Sequence, residues 1–520
     1  MPRPVSSGRA LTDEPDIRAA EITSRDVAKG AGTTLLARLG AVVEVVAQPA
    51  YVWLFGLAGF GIYTALWAAV TLVQNIANLG MTSALQRTVP QARSEQEAVA
   101  ALRAAMTMGV GPNLLIAALV SFFAPHLTHI FNAAEGDAPR LAHFIALFAW
   151  ALPLWAFVEV STSALRARRV FGAEIRLRLF WEQVARLGLA CAFSLGIPGT
   201  IALFYAHLAS LLLICGLCVR LLARNYDLSL LASGPGERHV WRETSLAGIS
   251  VMPTNLVARL FSDAPTLALN ALLPGAQGAI AGAQFALARK ISSIVQTIRI
   301  AFAYVLSPLA SAASTGSKAA VGEIYGFATR VSLAVALPVS LVLIGGGPSL
   351  LRAIGQGMET ALPALALLLA ARLAEAVMGA ASPIQQVVSR FSSQYLGSLT
   401  GIAVALSLAA LLLPSAGLNG MALAVTLGLT ATAAVPVWQL HRQEALHPFS
   451  KALGRVGWRS SLISLAGLGL ALLMNVLPLW AGLPGLILLL LASLWLSCRL
   501  ALPLPDRESL GSVARRLRLI

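Results

Sequence analysis

Long apolar runs dominate the sequence from residue 33 onward, and short breaks containing glycine, proline or charge separate them. A helix needs about 20 apolar residues to cross the hydrocarbon core of a bilayer. Only helices and closed barrels satisfy their backbone hydrogen bonds in lipid, and runs this long favour helices. The pattern predicts an all-α integral membrane protein with about 14 transmembrane helices, over roughly 33–55, 59–84, 99–124, 141–165, 179–196, 200–222, 244–273, 279–310, 325–346, 361–384, 396–413, 418–440, 460–478 and 483–500.

The breaks between these runs are too short to hold a soluble domain. Four of them carry glycine or proline and predict tight helical hairpins, at 196–199, 274–278, 414–419 and 479–482. The composition agrees, because hydrophobic residues make up 57% of the chain and charged residues only 12%. Soluble domains carry about twice that share of charge, and disordered chains are poor in aliphatic residues. Both classes are excluded.

The basic residues are distributed unevenly between the two sides of the predicted bundle. Of the 38 Lys and Arg residues, 27 lie in or next to loops on the side of the N-terminus, and two, Arg140 and Arg352, lie on the other. Basic loops stay in the cytoplasm. This predicts a multi-pass protein with both termini cytoplasmic. It also explains most of the net charge of +15 without a nucleic acid partner.

A faint internal repeat divides the chain. Arg38 and Arg259 lie in similar segments 221 residues apart, and Gln74 and Gln296 lie 222 apart. An offset of six helices keeps the orientation, so it predicts two parallel six-helix lobes plus two C-terminal helices. The predicted domains are a flexible cytoplasmic tail (1–32), an N-lobe (33–222), a cytoplasmic linker (223–243), a C-lobe (244–440), helices 13 and 14 (460–500) and a basic cytoplasmic tail (501–520).

Several charged residues interrupt the apolar runs, where charge is costly unless it faces a cavity or a partner. Arg38, Arg289, Lys290 and Arg299 have no acid three or four residues away on their own helix. With Arg259 they are predicted to line one central, water-filled cavity. Arginine binds phosphate in a bidentate manner, so a phosphate or pyrophosphate group is the expected guest. The alternative is that acids on other helices neutralise these groups.

Other intramembrane charges have the spacing of helical salt bridges. Arg186 follows Glu182 by four residues, Asp263 follows Arg259 by four, and Glu375 follows Arg372 by three. Structural pairing is the simpler interpretation of each. The acids Glu44, Asp263 and Glu375 are also candidates for coupling transport to protons or sodium.

Motifs of catalysis are not evident in the sequence. It has no phosphate-binding loop of the Gly-x-x-x-x-Gly-Lys type. The loops predicted on the outer side are short, and the irregular spacing of His126, His129, Glu135 and Asp137 in one of them does not favour a metal site. We therefore expect no catalytic residue, no metal and no cofactor, and a transporter rather than an enzyme.

The first hairpin carries a family resemblance over about 60 residues, from Lys29 to Arg87. Its features are Lys29-Gly30-Ala31-Gly32, then Leu54-Phe55-Gly56, Phe60-Gly61-Ile62-Tyr63 and Leu79-Gly80-Met81-Thr82-Ser83-Ala84-Leu85-Gln86-Arg87. This stretch resembles the start of the polysaccharide (Wzx-type O-antigen/exopolysaccharide) flippases of the multidrug/oligosaccharidyl-lipid/polysaccharide exporter superfamily. The resemblance implies two lobes around a cavity with alternating access, and it places Arg38, Arg289 and Arg299 in the cationic cavity.

The cargo implied by the resemblance is a polyprenyl-pyrophosphate-linked glycan, moved from the inner to the outer leaflet of a bacterial inner membrane for lipopolysaccharide or exopolysaccharide synthesis. The implied partners are the lipid bilayer and the polymerase and chain-length proteins of such a pathway. Two extra helices also occur in lipid II flippases, but Ala37-Arg38-Leu39-Gly40 followed by Glu44 departs from the Ser-Arg-x-x-Gly-x-x-Arg-Asp pattern of that branch. A lipid II flippase, a proton- or sodium-coupled multidrug antiporter and a membrane glycosyltransferase or polymerase are the alternatives.

Overall fold

The computed structural model describes residues 24–170, 172, 175–231, 238–314, 318–388, 393–510, 515 and 517–519. Within this part every regular element is a helix and no β-strand occurs, which confirms the predicted class. Most of the predicted N-terminal tail lies outside the described residues. So do the side chains of Arg38, Glu44 and Arg299, although their backbone is described and helical.

The first half of the bundle, here called the N-lobe, consists of eight helices. They are α1 (Ser24–Ala77), α2 (Met81–Gln91), α3 (Glu95–Phe122), α4 (Ala124–Leu127), α5 (Leu141–Phe148), α6 (Ala151–Ala167), α7 (Glu182–Gly196) and α8 (Ile201–Asn225). A short π-helix, Ile175–Trp181, leads directly into α7. Within the lobe α6 packs on both α3 and α8, and α7 packs on α8.

The second half, here called the C-lobe, continues the chain through seven helices. They are α9 (Arg238–Leu272), α10 (Gly275–Ser314), α11 (Lys318–Gly345), α12 (Gly347–Ile354), α13 (Leu362–Met378), α14 (Ala381–Val388) and α15 (Ser393–Glu444). α13 lies between α10, α11 and α15. The helices after the C-lobe are α16 (Lys451–Met474), α17 (Leu479–Leu500) and the short α18 (Leu504–Ser509).

Two of the long helices are hairpins of two segments each. Gly56 in α1 has φ 74° and ψ 162°, and Gly417 in α15 has φ 50° and ψ −124°. Glycine adopts such positive φ values without the steric cost that a Cβ brings. The ring centroids of Tyr51 and Tyr63 lie 6.4 Å apart, so the two segments of α1 pack side by side. The hairpin predicted at 414–419 is confirmed at Gly417.

By length and composition, nine helical stretches of the described residues are able to cross a membrane. One of them, Tyr395–Glu444, is long enough to cross twice. α9 and α10, at 35 and 40 residues, are not among the nine. These two helices carry Arg259, Asp263, Arg289 and Lys290. Both helices pack on each other and on α1 of the N-lobe.

The two lobes meet through α1 and α2 of the N-lobe and α9 and α10 of the C-lobe. Glycine permits the closest of these contacts. A Cβ added to Gly61 would lie 2.0 Å from the carbonyl oxygen of Ala279, and one added to Gly80 would lie 2.1 Å from that of Gly248. The lobes therefore touch backbone to backbone at both positions.

The final helices are fastened to the C-lobe at both ends of α16 and α17. At one end Arg330 of α11 donates from Nε and Nη2 to the Asp506 carboxylate at 2.6 and 2.7 Å. At the other, Asn475 accepts from the Ser349 backbone at 3.0 Å and donates to the Gly345 carbonyl at 2.7 Å. α16 and α17 thus pack on α11 as a fixed part of the C-lobe.

Replacing Gly61 with alanine tests the contact between the lobes. An ordinary helical Gly→Ala change is neutral or stabilising, but here the added methyl group would collide with the Ala279 carbonyl. We expect a loss of stability of about 1–3 kcal/mol, as for an overpacked core, measured as a lower thermal unfolding midpoint in detergent. Gly111→Ala is the control, because no atom of the described residues lies within 4 Å of its added Cβ. Equal behaviour of the two variants would contradict the contact.

Candidate functional site

A cavity of about 330 Å³ lies between the two lobes. Both segments of α1, together with α6, the π-helix and α7, form its N-lobe wall, and α9 and α10 form its C-lobe wall. Of the described residues that line it, five are basic and two are acidic. They are Arg178, Arg186, Arg259, Arg289 and Lys290 against Glu182 and Asp263. The cavity is therefore cationic.

The C-lobe wall holds three of the bases, and two of them lie near one carboxylate. Asp263 lies 3.7 Å from Nη1 of Arg259 and 3.9 Å from Nη2 of Arg289. These distances exceed those of close hydrogen bonds. The side chains of Arg259 and Arg289 are 36% and 28% exposed, whereas that of Asp263 is 11% exposed. Asp263 thus holds the two guanidinium groups beside each other while leaving them accessible from the cavity.

The sequence-predicted residues are only partly brought together. Arg259, Arg289, Lys290 and Asp263 line the cavity. The predicted pairing of Arg259 with Asp263 also forms, so an acid on a neighbouring helix does face Arg289. Glu375 accepts from Arg372 at 2.5 Å and is not among the residues that line the cavity.

Arg178 is a cavity residue that sequence reasoning missed, because the predicted fifth span began one residue later. In the structure the π-helix extends α7 backward and carries Arg178 to the cavity wall. Arg178 donates to Glu159 at 3.0 Å, and its guanidinium carbon lies 4.5 Å from the centre of the Trp155 ring. The available signal was the spacing of Arg178, Glu182 and Arg186, which places all three on one helical face.

A polar network stands behind the N-lobe wall. Arg186 forms the predicted salt bridge with Glu182 at 3.0 Å, donates to the Tyr63 hydroxyl at 2.8 Å and donates to Gln183 at 2.8 Å. The Tyr63 hydroxyl is also hydrogen-bonded to Nδ1 of His207 at 3.0 Å, and His207 is completely buried. These hydrogen bonds restrain the positions of Arg186, Tyr63 and His207 in the wall. Nε of Arg186 and Nε2 of His207 have no hydrogen-bond partner among the described residues.

An apolar pocket of about 290 Å³ adjoins the cavity. It lies between α1, α10, α12 and α17 and shares Gln48 and Lys290 with the cavity. Its other lining residues are apolar, namely Pro49, Trp53, Leu287, Ile291, Ile294, Leu350, Ala353, Ile354 and Leu483. The cationic cavity and the apolar pocket thus meet at Gln48 and Lys290.

Comparison with known proteins gives one family and several related folds. The profile of the family described as "Polysaccharide biosynthesis protein" matches residues 27–314. A search of the curated proteins finds no significant match.

Solved membrane transporters share the fold. A structure described as "Lipid II flippase MurJ, inward closed conformation" superposes with a TM-score of 0.71 at 11% identity, covering 89% of this chain and 97% of that one. An inward-facing multidrug resistance MATE family transporter of the MOP superfamily gives 0.59 at 17% identity, covering 78% and 98%. A point mutant of the Vibrio cholerae MATE transporter VcmN gives 0.57 at 15%, covering 79% and 95%. At these identities the likeness establishes the fold.

Removing Arg178 tests the electrostatics of the N-lobe wall. Arg178→Ala leaves the buried carboxylate of Glu159 with the Gln74 hydrogen bond and with Arg259 at 3.9 Å, so the cost is at most that of breaking a buried pair, about 3–5 kcal/mol. We expect a marked drop in the thermal unfolding midpoint, and we expect Glu159→Gln in the same chain to recover much of it. Arg176→Ala, at an exposed position of the same π-helix, is the control. A double variant no more stable than Arg178→Ala would contradict the pairing.

Proposed function

The chain belongs to the polysaccharide biosynthesis protein family, as its N-terminal motifs predicted, and from this premise we propose that it is a lipid-linked oligosaccharide flippase. Its cargo is a glycan carried on polyprenyl pyrophosphate. The protein moves the cargo from the inner to the outer leaflet of a bacterial inner membrane, with both of its termini cytoplasmic. No covalent bond is made or broken. Enzymes that polymerise the exported units and set their chain length are the expected functional partners.

The cationic cavity beside an apolar pocket is the observation that carries this proposal. A pyrophosphate needs several cations within reach at once, and planar guanidinium groups bind phosphate oxygens through paired hydrogen bonds. Arg259, Arg289 and Lys290 supply three cations on adjacent helices. The excess of bases also disfavours a drug antiporter, because a cationic drug is repelled by a cationic wall.

The apolar pocket is proposed to receive the start of the prenyl chain. It begins where the cavity ends, at Gln48 and Lys290, and is lined by aliphatic side chains and Trp53. A lipid whose pyrophosphate lies against Lys290 therefore finds apolar surface for its tail directly next to its head group. Burial of apolar surface contributes about 25 cal/mol per Å². In this arrangement the pyrophosphate lies in the cationic cavity and the start of the prenyl chain lies in the apolar pocket.

Alternating access requires contacts that close each end of the cavity in turn. At the end assigned to the outer side, Asn132 of the N-lobe and Asn270 of the C-lobe hold each other. The backbone amide of Asn132 donates to the Asn270 side chain at 3.1 Å, and the Asn270 side chain donates to the Asn132 carbonyl at 2.8 Å. The Asn132 side chain donates to the Asn270 carbonyl at 2.9 Å and accepts from Gly275 at 3.1 Å. At the opposite end Gly80 meets Gly248.

The flippase proposal is tested in cells that lack this protein. We expect the completed repeat unit to accumulate on its polyprenyl carrier, measured by mass spectrometry of extracted lipid-linked glycans. The wild-type gene should remove the accumulation. Arg259→Ala with Arg289→Ala should leave it at least about tenfold above wild type, because each lost charged hydrogen bond costs about 1.5–3 kcal/mol.

Arg140→Ala is the matched control, since Arg140 is exposed and does not line the cavity. Full rescue by the double variant would contradict the proposed pyrophosphate site while keeping the flippase. Absence of accumulation in the deleted strain would contradict the flippase itself.

We call the hydrogen bonds between Asn132 and Asn270 the outer latch. Breaking them should shift the protein toward the outward-open conformation. Asn132→Ala removes three side-chain hydrogen bonds, to Asn270, Ala271 and Gly275, each worth about 0.5–1.5 kcal/mol. We expect the outward-open state to gain population. The reporter is a cysteine introduced by Ser262→Cys, which lies in the cavity. In the Asn132→Ala background it should react about tenfold faster with an impermeant maleimide added outside cells. The four native cysteines are first replaced by serine.

Asn225→Ala, which removes a bond within α8 alone, should leave the rate unchanged. An unchanged rate in Asn132→Ala would show that these hydrogen bonds do not keep the outer end of the cavity closed.

A further inference from the structure

The two walls of the cavity differ in chemistry, and the proposed pyrophosphate site draws on the bases of the C-lobe wall, Arg259, Arg289 and Lys290. All five aromatic residues among the described lining residues belong to the N-lobe, namely Tyr51, Phe60, Tyr63, Trp67 and Trp155. The C-lobe wall opposite carries charged, hydroxyl and alanine side chains. Both walls carry charge, with Arg178, Glu182 and Arg186 on the N-lobe side, but the aromatic surface belongs to the N-lobe wall alone among the described residues.

Trp67 is the part of this aromatic wall that is open to the cavity. It is partly exposed, whereas Tyr51, Phe60 and Tyr63 are at most 3% exposed. Its ring lies 5.4 Å from that of Trp155 in an edge arrangement and 4.5 Å from that of His207. Because these neighbours are buried, they restrict rotation of the indole. Trp67 is thus a pre-oriented surface rather than a mobile side chain.

Three buried donors on the same wall have no hydrogen-bond partner among the described residues, and one of them is Nε of the charged Arg186. The two on aromatic side chains are the hydroxyl of Tyr51, a residue 3% exposed, and Nε1 of Trp155, a residue 9% exposed. Buried polar atoms are normally paired, and leaving one unpaired costs free energy. Both residues line the cavity, so a ligand in the cavity is the natural source of the missing acceptors.

These features match the chemistry of a sugar. A pyranose ring has a C–H face that packs against the electron-rich face of an aromatic ring, and a rim of hydroxyl groups that accept and donate hydrogen bonds. A cationic guest fits less well, because Arg178 already lies over the ring of Trp155 and Arg186 is bonded to Tyr63. The aromatic wall combines an apolar surface with unused donors, which is what a neutral, hydroxyl-rich ligand requires.

We propose that the N-lobe wall is a carbohydrate seat, in which Trp67 packs against the sugar portion of the cargo while Tyr51 and Trp155 donate to its oxygens. This inference rests on the proposed function and adds a division of labour to it. The C-lobe wall binds the pyrophosphate, which all such lipids share. The N-lobe wall distinguishes a lipid that carries sugar from one that does not. Tyr51 and Trp67 are accordingly specificity-determining residues.

The test compares two probes on the purified full-length protein in nanodiscs, polyprenyl pyrophosphate and polyprenyl-pyrophosphate-linked N-acetylglucosamine. Native mass spectrometry gives both dissociation constants. We expect wild type to prefer the sugar-bearing lipid by about tenfold or more. Tyr51→Phe should reduce that preference by about two- to tenfold, the value of one hydrogen bond. It should leave bare-lipid binding unchanged, since among the described residues the hydroxyl has no partner to lose.

Trp67→Ala should abolish the preference, and Trp67→Phe should retain part of it because an aromatic face remains. Arg289→Ala should weaken both probes by the same factor, which identifies the pyrophosphate side separately. Thermal unfolding midpoints of all variants show that each is folded.

Three results would overturn the inference. Equal binding of the two probes to wild type, or a preference that survives in Trp67→Ala and Tyr51→Phe, would remove the carbohydrate seat and leave the flippase proposal in place. Failure of both probes to bind, together with binding of tetraphenylphosphonium that Trp67→Ala abolishes, would overturn the flippase proposal as well. The aromatic wall would then be a site for cations.

Discussion

The cost of placing charge in a membrane is the constraint on which this structure depends. A lysine or arginine at the centre of a spanning helix costs about 2.5–3.5 kcal/mol on insertion scales, so it must face a partner or a cavity. α9 and α10 carry Arg259, Asp263, Arg289 and Lys290, and they meet α1 of the N-lobe instead of lipid. The space between the lobes lets these charged side chains face a cavity.

The sequence predicted those features that local pattern determines. Uniform apolar runs gave the helices, and positive-φ glycines such as Gly417 lie where hairpins were expected. Arg259 and Arg289 were found because charge within an apolar run is conspicuous. Arg178 was missed because its place depends on the π-helix that extends α7. The outer latch joins Asn132 and Asn270, which lie 138 positions apart in the sequence. Only the packing of the two lobes brings such residues together.

The aromatic wall illustrates a further limit of sequence reasoning. Tryptophan and tyrosine in an apolar run are compatible with the core, with the lipid interface and with a binding surface, and spacing does not separate these roles. Tyr51, Trp67 and Trp155 come from three different helical segments. Their common position is visible only in three dimensions. The opposite wall has no aromatic residue among those described, and two unlike surfaces within one cavity suit the proposed ligand, whose two ends differ in chemistry.

The boundary formed by Gln48 and Lys290, where the cationic cavity meets the apolar pocket, has a consequence for the kind of lipid the protein accepts. A pocket of about 290 Å³ encloses only the beginning of a long hydrocarbon chain, and the remainder stays in the bilayer. For the proposed cargo, the protein would contact only the isoprene units next to the pyrophosphate and not the far end of the chain. Carriers of different total length, with the same first units, are then equivalent to it, and the length of the carrier is left to the enzymes that synthesise it.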